Sequence, residues 1–325
     1  MSNKITKSDH LKHLKSRALN DAELLKNGAE YVEHEDGKVN LIVTDTQRKL
    51  AATDLMGYEM EEDVSSDYNT VEKNLDWYGL LETAEDGRKF YTADYDGTAE
   101  AGGKGYNFMG KKFRMPTLPE ILKGLTPDQI KLYNEYRGKG LKPYLQLTPI
   151  AVKIRTLAGK FDRKMKNNTF ISEMDERKLI YEPQTVEASA DGQELIVKNG
   201  LTKSQLIDKY EGWMVRIICR KTESDKGLGS PTIGRQASQY MKSSMKRGES
   251  GMSYEDYLML QMNALAGDYP KPLDQEVWSL LPGSSSTEGV PAGSWAHDRV
   301  ILDRMHSDQQ NAQVGIRHSF LVQLK

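Results

Sequence analysis

Hydrophobic and polar residues alternate in short stretches on both sides of three Asp-Gly pairs. These pairs are Asp36-Gly37 within 31–43, Asp86-Gly87 between 75–83 and 90–93, and Asp191-Gly192 between 185–188 and 194–197. An Asp-Gly pair favours the type I′ turn, because both central residues of that turn need a positive φ. The pattern therefore predicts three β-hairpins, and hairpins favour an antiparallel sheet over parallel βαβ units.

Capping boxes mark the predicted helix starts. Thr126 is followed by Pro127 and Gln129, Thr202 precedes Gln205 by three residues, and Ser253 precedes Asp256 in the same way. In such a box the first side chain accepts a hydrogen bond from the third helical residue, whose own side chain bonds back. Helices thus interrupt the strands without a regular period, which predicts an α+β fold and no solenoid repeat.

The glycine-rich stretch 97–105 is the predicted domain boundary. A chain of 325 residues fits one or two domains. We expect a smaller N-terminal α/β region with hairpins at 1–105 and a larger domain at 106–325. The Gly- and Ser-rich stretches 223–251 and 283–289 are expected to be long excursions from the larger domain.

Charge and cysteine content exclude several classes of function. The 45 Lys and Arg residues balance 47 Asp and Glu residues, so no overall field attracts a polyanion, and nucleic acid is not an expected partner. Cys219 is the single cysteine, which rules out an intrachain disulfide and a thiolate metal cage. Neither a signal peptide nor a membrane span is predicted. Synthesis in the cytoplasm is expected, and a surface role would require delivery by a virion or another secretion route.

Two segments carry a family resemblance. The first runs through Arg114-Met115-Pro116-Thr117 to Glu120, where strand-like residues pass directly into a capped helix. The second extends from Gly293-Ser294-Trp295 to Gly315-Ile316-Arg317 at the carboxyl end of the chain. They resemble the Arg-Leu-Pro-Thr-x-x-Glu and Gly-Gly-Ser-Trp … Gly-Phe-Arg elements of the formylglycine-generating-enzyme branch of the C-type lectin fold. Arg304 lies where that branch often has an arginine between the two final motifs.

Some positions depart from the pattern of that branch. Ala292 replaces the first glycine, Ile316 replaces the aromatic residue of Gly-Phe-Arg, and a central Trp-containing segment is represented by Glu276-Val277-Trp278. Within the branch, the chain is most similar to the variable target proteins of diversity-generating retroelements. The resemblance implies a C-type lectin-like fold at 106–325, with an antiparallel sheet, flanking helices and a variable ligand-binding segment near 296–313.

The resemblance also implies a function. Such proteins are non-catalytic display proteins that bind a ligand or receptor, including viral proteins that recognise a host. The expected partner is a macromolecular ligand, namely a cell-surface protein or glycan, and the expected location is the surface of a virion or cell. The family's oxidase chemistry uses two cysteines and this chain has one, so we expect neither an enzyme nor a cofactor.

Residues 296–313 are strongly polar, while Trp295 before them and 320–322 after them are apolar. A polar segment held at both ends by buried strands is predicted to form a rigid platform for binding. The predicted ligand-binding residues are His297, Asp298, Arg299, Asp303, Arg304, His306, Asp308, Gln310, Asn311 and Gln313. The predicted scaffold of this surface is Gly293, Ser294, Trp295, Gly315 and Arg317.

Neither a metal site nor a catalytic triad is indicated by the histidines and acidic residues. His297, His306 and His318 lack the spacing of a zinc site, and Asp94-Tyr95-Asp96-Gly97 lacks the remaining ligands of an EF-hand, so no metal site is predicted. His318-Ser319 lacks a nucleophile elbow and is interpreted as structural. Two alternatives stay open: an enzyme on the same scaffold, and a structural virion protein with the polar segment at a subunit contact. Oligomers are compatible with both.

Overall fold

The structure is a computed structural model that describes residues 30–33, 39–42, 45–100, 106–172, 175–188, 195–221, 247–266, 271–275, 277–305 and 314–324. Over these residues the fold is mixed α and β, with six helices and several antiparallel sheets. The helices are α1 (Asp45–Trp77), α2 (Leu118–Gly124), α3 (Pro127–Gly138), α4 (Ile154–Met165), α5 (Lys203–Lys209) and α6 (Tyr254–Leu265). None of them is long and apolar enough to cross a membrane.

Seventeen short strands accompany the helices within the described ranges. They are β1 (Glu30–Glu33), β2 (Val39–Ile42), β3 (Glu82–Thr83), β4 (Lys89–Thr92), β5 (Lys112–Arg114), β6 (Leu141–Pro149), β7 (Phe170–Ile171), β8 (Ile180–Tyr181), β9 (Thr185–Ala188), β10 (Leu195–Lys198), β11 (Trp213–Lys221), β12 (Trp278–Leu280), β13 (Ser284–Ser285), β14 (Val290–Ala296), β15 (Arg299–Met305), β16 (Val314–Ile316) and β17 (Ser319–Val322).

Two sheets and helix α6 form the centre of the larger unit. One sheet has the antiparallel order β17-β11-β6, and the other has the mixed order β16-β12-β14-β15-β7. Helix α6 contacts β6, β14 and helix α4, and eleven of its twelve residues are buried. A helix that is covered on all sides belongs in a core, and α6 thus connects the two sheets.

The three predicted hairpins are confirmed as antiparallel strand pairs. Strand β1 pairs with β2, β3 with β4, and β9 with β10. The turn residues 36–37 and 191–192 lie outside the described residues. Helix α1 continues to Trp77, so the strand predicted from residue 75 is wrong there and only Glu82–Thr83 pairs with β4.

The predicted capping boxes are also confirmed. Thr126, Thr202 and Ser253 each accept a hydrogen bond from the backbone of the third helical residue, whose side chain bonds back to the cap. At the resemblance motif, the Thr117 N–H donates to Glu120 Oε2 at 2.8 Å. Local sequence therefore determines where α2, α3, α5 and α6 begin.

The chain divides into two compact units, 1–63 and 64–325. The larger unit thus begins well before residue 105, where the sequence placed the domain boundary. Aromatic packing explains the earlier start: Tyr91 of β4 meets Trp213 edge-on at 4.9 Å between ring centroids and stacks on Phe113 at 5.5 Å. These rings join residues before and after the glycine-rich stretch in one core.

Candidate ligand-binding surface at the carboxyl-terminal hairpin

Strands β14 and β15 form a hairpin whose tip carries two of the predicted binding residues. The last pair is Ala296 with Arg299, which leaves His297 and Asp298 as a two-residue turn. Their φ values are 52° and 57°, so both are left-handed as a type I′ turn requires. Both are exposed. The tip therefore presents a histidine ring and a carboxylate on a tightly defined backbone.

Strand β15 alternates between the core and the surface. Val300 and Leu302 are fully buried, whereas Asp303 and Arg304 are partly exposed. The Asp303 carbonyl accepts a hydrogen bond from the Tyr254 hydroxyl of α6, and Arg304 forms an ion pair with Glu288. Helix α6 thus holds the backbone of this strand, while the polar side chains of the strand remain accessible.

Arg299 and the turn contact the short segment that follows α4. The Arg299 guanidinium lies 5.6 Å from the centre of the Phe170 ring, which is a cation–π arrangement. The Asn167 side chain donates to the Asp298 carbonyl at 2.9 Å. Since Phe170 is itself 42% exposed, it belongs to the same surface as the hairpin tip. Sequence reasoning missed Asn167 and Phe170, because nothing local connects them to residues 130 positions later.

Asp274 is a further residue that sequence reasoning missed, and it joins the two terminal motifs. Its buried carboxylate pairs with Arg317 and accepts a hydrogen bond from Ser279 Oγ at 2.6 Å. Its backbone carbonyl accepts from Ser294 Oγ at 3.2 Å and from the Trp295 N–H at 3.0 Å. Asp274 has φ 56°, a conformation that is uncommon outside glycine. The Gly-Ser-Trp strand and the Gly-x-Arg strand are therefore fastened to one residue.

The scaffold glycines allow close approach of strands and helix. An added Cβ at Gly293 would lie 2.3 Å from ring carbons of Tyr257 on α6, so only glycine fits beneath that ring. Gly315 is buried in β16 and pairs with Ser279 in parallel register. Of the five predicted scaffold residues, Gly293, Ser294, Gly315 and Arg317 are buried.

Trp295 differs from the prediction that it is a core residue. It is only partly buried, because it pairs with Val300 near the end of the hairpin, next to the exposed turn. Trp278 is likewise partly buried, and it packs at the margin of a cluster formed by Leu280, Val290, Ala292, Val314 and Ile316. Trp213, by contrast, is only 1% exposed and lies in the core.

Part of the predicted surface lies outside the described residues. These positions are His306, Asp308, Gln310, Asn311 and Gln313. The described part of the variable segment ends at Met305, and the chain is described again from Val314 in β16.

Buried ion pairs lie at the start of α6. Lys203 Nζ lies 3.0 Å from Glu255 and 2.8 Å from Glu176, and Arg216 Nε lies 3.0 Å from Asp256. Burial raises the pKa of Glu255, but the Lys203 ammonium outweighs it, so the net shift is downward. Buried charges that keep their partners hold α6 in one position against both sheets.

The groups with catalytic potential are engaged in the core. Cys219 is fully buried, and burial followed by the nearby Glu249 raises the pKa of its thiol. His318 Nδ1 lies 3.1 Å from Glu249, and its ring stacks on Tyr136 at 5.3 Å between centroids. His318 is 4% exposed, in agreement with the structural interpretation.

The partial calcium motif also has a structural role. Asp94 accepts hydrogen bonds from the Lys153 N–H at 2.7 Å and from the Thr156 hydroxyl. It thus caps helix α4 although it lies 59 residues before Lys153 in the sequence. Asp96 accepts from the Thr98 N–H at 3.0 Å within a turn. Among the residues that the structure describes, no group of three or more His, Cys, Asp or Glu side chains is arranged to hold a metal ion.

A cavity of about 510 Å³ lies elsewhere in the larger unit, between β5 and the turn after α5. Arg114, Lys112 and Lys209 on its walls are paired with Glu120, Glu82 and Glu182 respectively. Its lining includes none of the predicted binding residues.

No protein-family model, no curated protein and no solved structure matches the chain.

Proposed function

We propose that this chain is a non-catalytic binding protein with a C-type lectin-like fold, similar to the variable proteins of diversity-generating retroelements. The β14–β15 hairpin and the segment that follows it are the recognition surface. The ligand is macromolecular, and the protein is displayed on a virion or a cell surface to meet it. The observation that carries the proposal is the attachment of both terminal motifs to Asp274, directly beneath an exposed hairpin tip.

This arrangement separates stability from recognition. Ser279, Ser294 and Arg317 bond to Asp274 inside the core, whereas His297 and Asp298 reach solvent. Exposed substitutions usually change stability by less than about 0.5 kcal/mol, while loss of one partner of a buried pair costs several. A surface built in this way tolerates sequence change without loss of its support, which is what a diversified binding site requires.

The decisive experiment compares two libraries of the full chain. One randomises Arg299 and Asp303 and varies His297 and Asp298 among Asn, Asp, Gly and His, which accept a positive φ. The matched library randomises Asp274, Ser279, Ser294 and Arg317. We expect most members of the first library to melt within a few degrees of the parent protein, and most members of the second to be unfolded or insoluble. Similar losses in both libraries would contradict the proposal.

Sibling genes provide an independent test of diversification. Differences between siblings are expected to concentrate in adenine-containing codons from residue 296 to residue 313. Differences spread evenly along the chain would argue against a retroelement.

A further inference from the structure

A cluster of cations and aromatic rings surrounds one side of the hairpin tip. We call it the basic patch, and its members are Trp77, Arg163, Lys164, Lys166, Phe170 and Arg299. Trp77 and Phe170 are 45% and 42% exposed, which is unusual for such large apolar side chains. Each ring has a cation near its centre: Lys164 Nζ at 5.3 Å from Trp77 and the Arg299 guanidinium at 5.6 Å from Phe170.

The elements that carry the basic patch contact one another. Lys164 is in the last turn of α4, and Lys166 is its left-handed C-cap with φ 53°. The next residue, Asn167, bonds to the Asp298 carbonyl in the hairpin turn. Strand β7 then places Phe170 beside Ile301, two residues after Arg299. The basic patch therefore continues from the end of α4 to the recognition surface.

Arg163, Lys164, Lys166 and Arg299 form no ion pair with any described residue. Asp162, which precedes Arg163 in the sequence, accepts hydrogen bonds from the Thr169 N–H and hydroxyl at 2.9 and 2.6 Å. Asp298, which precedes Arg299, is exposed in the hairpin turn. Burial, followed by the positive charge of Arg163, lowers the pKa of the neighbouring Lys160. In a chain with a net charge of −2, four cations of the basic patch thus have no ion-pair partner among the residues that the structure describes.

We propose that the basic patch binds an anionic polysaccharide. This inference deepens the proposed function, because it gives a ligand class to the same end of the molecule. Guanidinium and ammonium groups pair with carboxylate or sulfate, and exposed aromatic rings provide flat apolar surfaces for sugar rings. Nucleic acid also presents anionic groups, and it is the alternative ligand that the competition experiment tests.

The test uses immobilised heparin and the full-length protein. The triple variant Arg163→Glu/Lys164→Glu/Lys166→Glu is compared with Lys131→Glu/Lys139→Glu/Lys142→Glu, which makes the same change in charge at exposed positions elsewhere. We expect the patch variant to bind at least about tenfold more weakly at roughly 0.1 M salt. The control variant should elute close to the parent protein. Equal weakening of both variants would show only general charge attraction and overturn the proposal.

A neutral substitution tests the aromatic part of the basic patch. Phe170→Ala keeps every charge and removes the ring beneath Arg299, so heparin binding should weaken by about two- to fivefold. Unchanged binding would overturn the role of the ring. Melting curves for each variant show whether the fold is kept, and Lys164→Gln with Lys166→Gln provides a milder replacement if the triple variant is unfolded.

Competition distinguishes the ligand class. If duplex DNA displaces the protein from heparin as well as dextran sulfate does at equal charge, the polysaccharide proposal is wrong. The result is also separable from the proposed function. Suppose that the patch variant selectively loses heparin binding but most members of the hairpin library are unfolded. This pair of results would support the basic patch and refute the display model. The opposite pair of results would support display with a different ligand.

Discussion

Arg317 and Asp274 form an ion pair with no solvent exposure of either side chain, although 43 residues separate them in the sequence. Arg317 belongs to the final Gly-x-Arg motif, and the backbone of Asp274 holds the Gly-Ser-Trp motif through Ser294 and Trp295. The pair consequently connects the two strands between which the predicted recognition segment lies.

Removal of one partner of this pair should be strongly destabilising. We expect Arg317→Ala to lower the free energy of unfolding by about 3–5 kcal/mol, because it leaves the Asp274 carboxylate buried without its cation. Denaturant unfolding measures the change. The matched control is Arg304→Ala, which removes an exposed pair with Glu288 and should cost about 0–1 kcal/mol. Equal costs for the two variants would contradict a structural role for the Arg317–Asp274 pair.

Gly293 should tolerate no side chain while Tyr257 is present. A Cβ there would lie 2.3 Å from the ring, so we expect Gly293→Ala to lower the melting temperature clearly. In a Tyr257→Ala background the same change should cost much less, because the obstructing ring is gone. Gly159 in α4 has no atom near its added Cβ, and Gly159→Ala should instead stabilise the protein by about 0.5–1 kcal/mol. Additive effects of Gly293→Ala and Tyr257→Ala would refute the contact.

The hairpin turn should select residues that accept a positive φ. We expect Asp298→Gly to keep or raise stability and Asp298→Val to lower it by about 1–2 kcal/mol, because a β-branched residue is strained at φ 57°. Arg299→Val, at an extended strand position, is the control and should change stability much less. Thermal unfolding of the three variants measures these changes in stability. A harmless Asp298→Val would mean that the turn is not type I′ in solution.

Acidification should reduce the stability that Glu120 contributes through its bonds to Arg114 and Thr117. Hydrogen bonds from Arg114 and then from the Thr117 backbone lower the pKa of Glu120 from 4.5 to about 2. The unfolded carboxylate therefore takes up a proton before the folded one does. Its stabilising contribution is complete above about pH 4.5 and is lost as pH falls toward 2. The contribution is small because both partners are partly exposed and water screens their interaction.

Unfolding by urea across this pH range provides the measurement. The loss of stability on acidification should be smaller in Glu120→Gln than in the parent protein. Glu135→Gln, an exposed change on α3, should follow the parent. An identical pH profile for Glu120→Gln and the parent would exclude the proposed linkage.

Cys219 should be inert in the native protein. Its thiol is fully buried and its pKa is raised, so a thiol reagent should react only after unfolding, with one equivalent per chain. Absorbance after addition of Ellman's reagent, with and without denaturant, tests this expectation. Rapid reaction of the native thiol would reopen the alternative of an enzyme that uses this cysteine.

Local sequence determined most of the elements that position the surface. The capping boxes at Thr126, Thr202 and Ser253 predicted real helix starts, because a cap and its helix lie within four residues of each other. The hairpins around Asp86-Gly87 and at β9–β10 were predicted for the same reason, since a tight turn is a local feature.

Only the tertiary structure decided which distant residues meet. Asp274, Tyr257, Asn167 and Phe170 act at the hairpin through contacts across long stretches of chain, and no local pattern identifies such partners. The degree of burial of Trp295 was decided in the same way, since exposure depends on which element covers a strand end. The sequence by itself determined where helices and turns begin, because those choices depend on neighbouring residues. The buried ion pairs and the basic patch came from the fold, because charge and packing act between residues that only folding brings together.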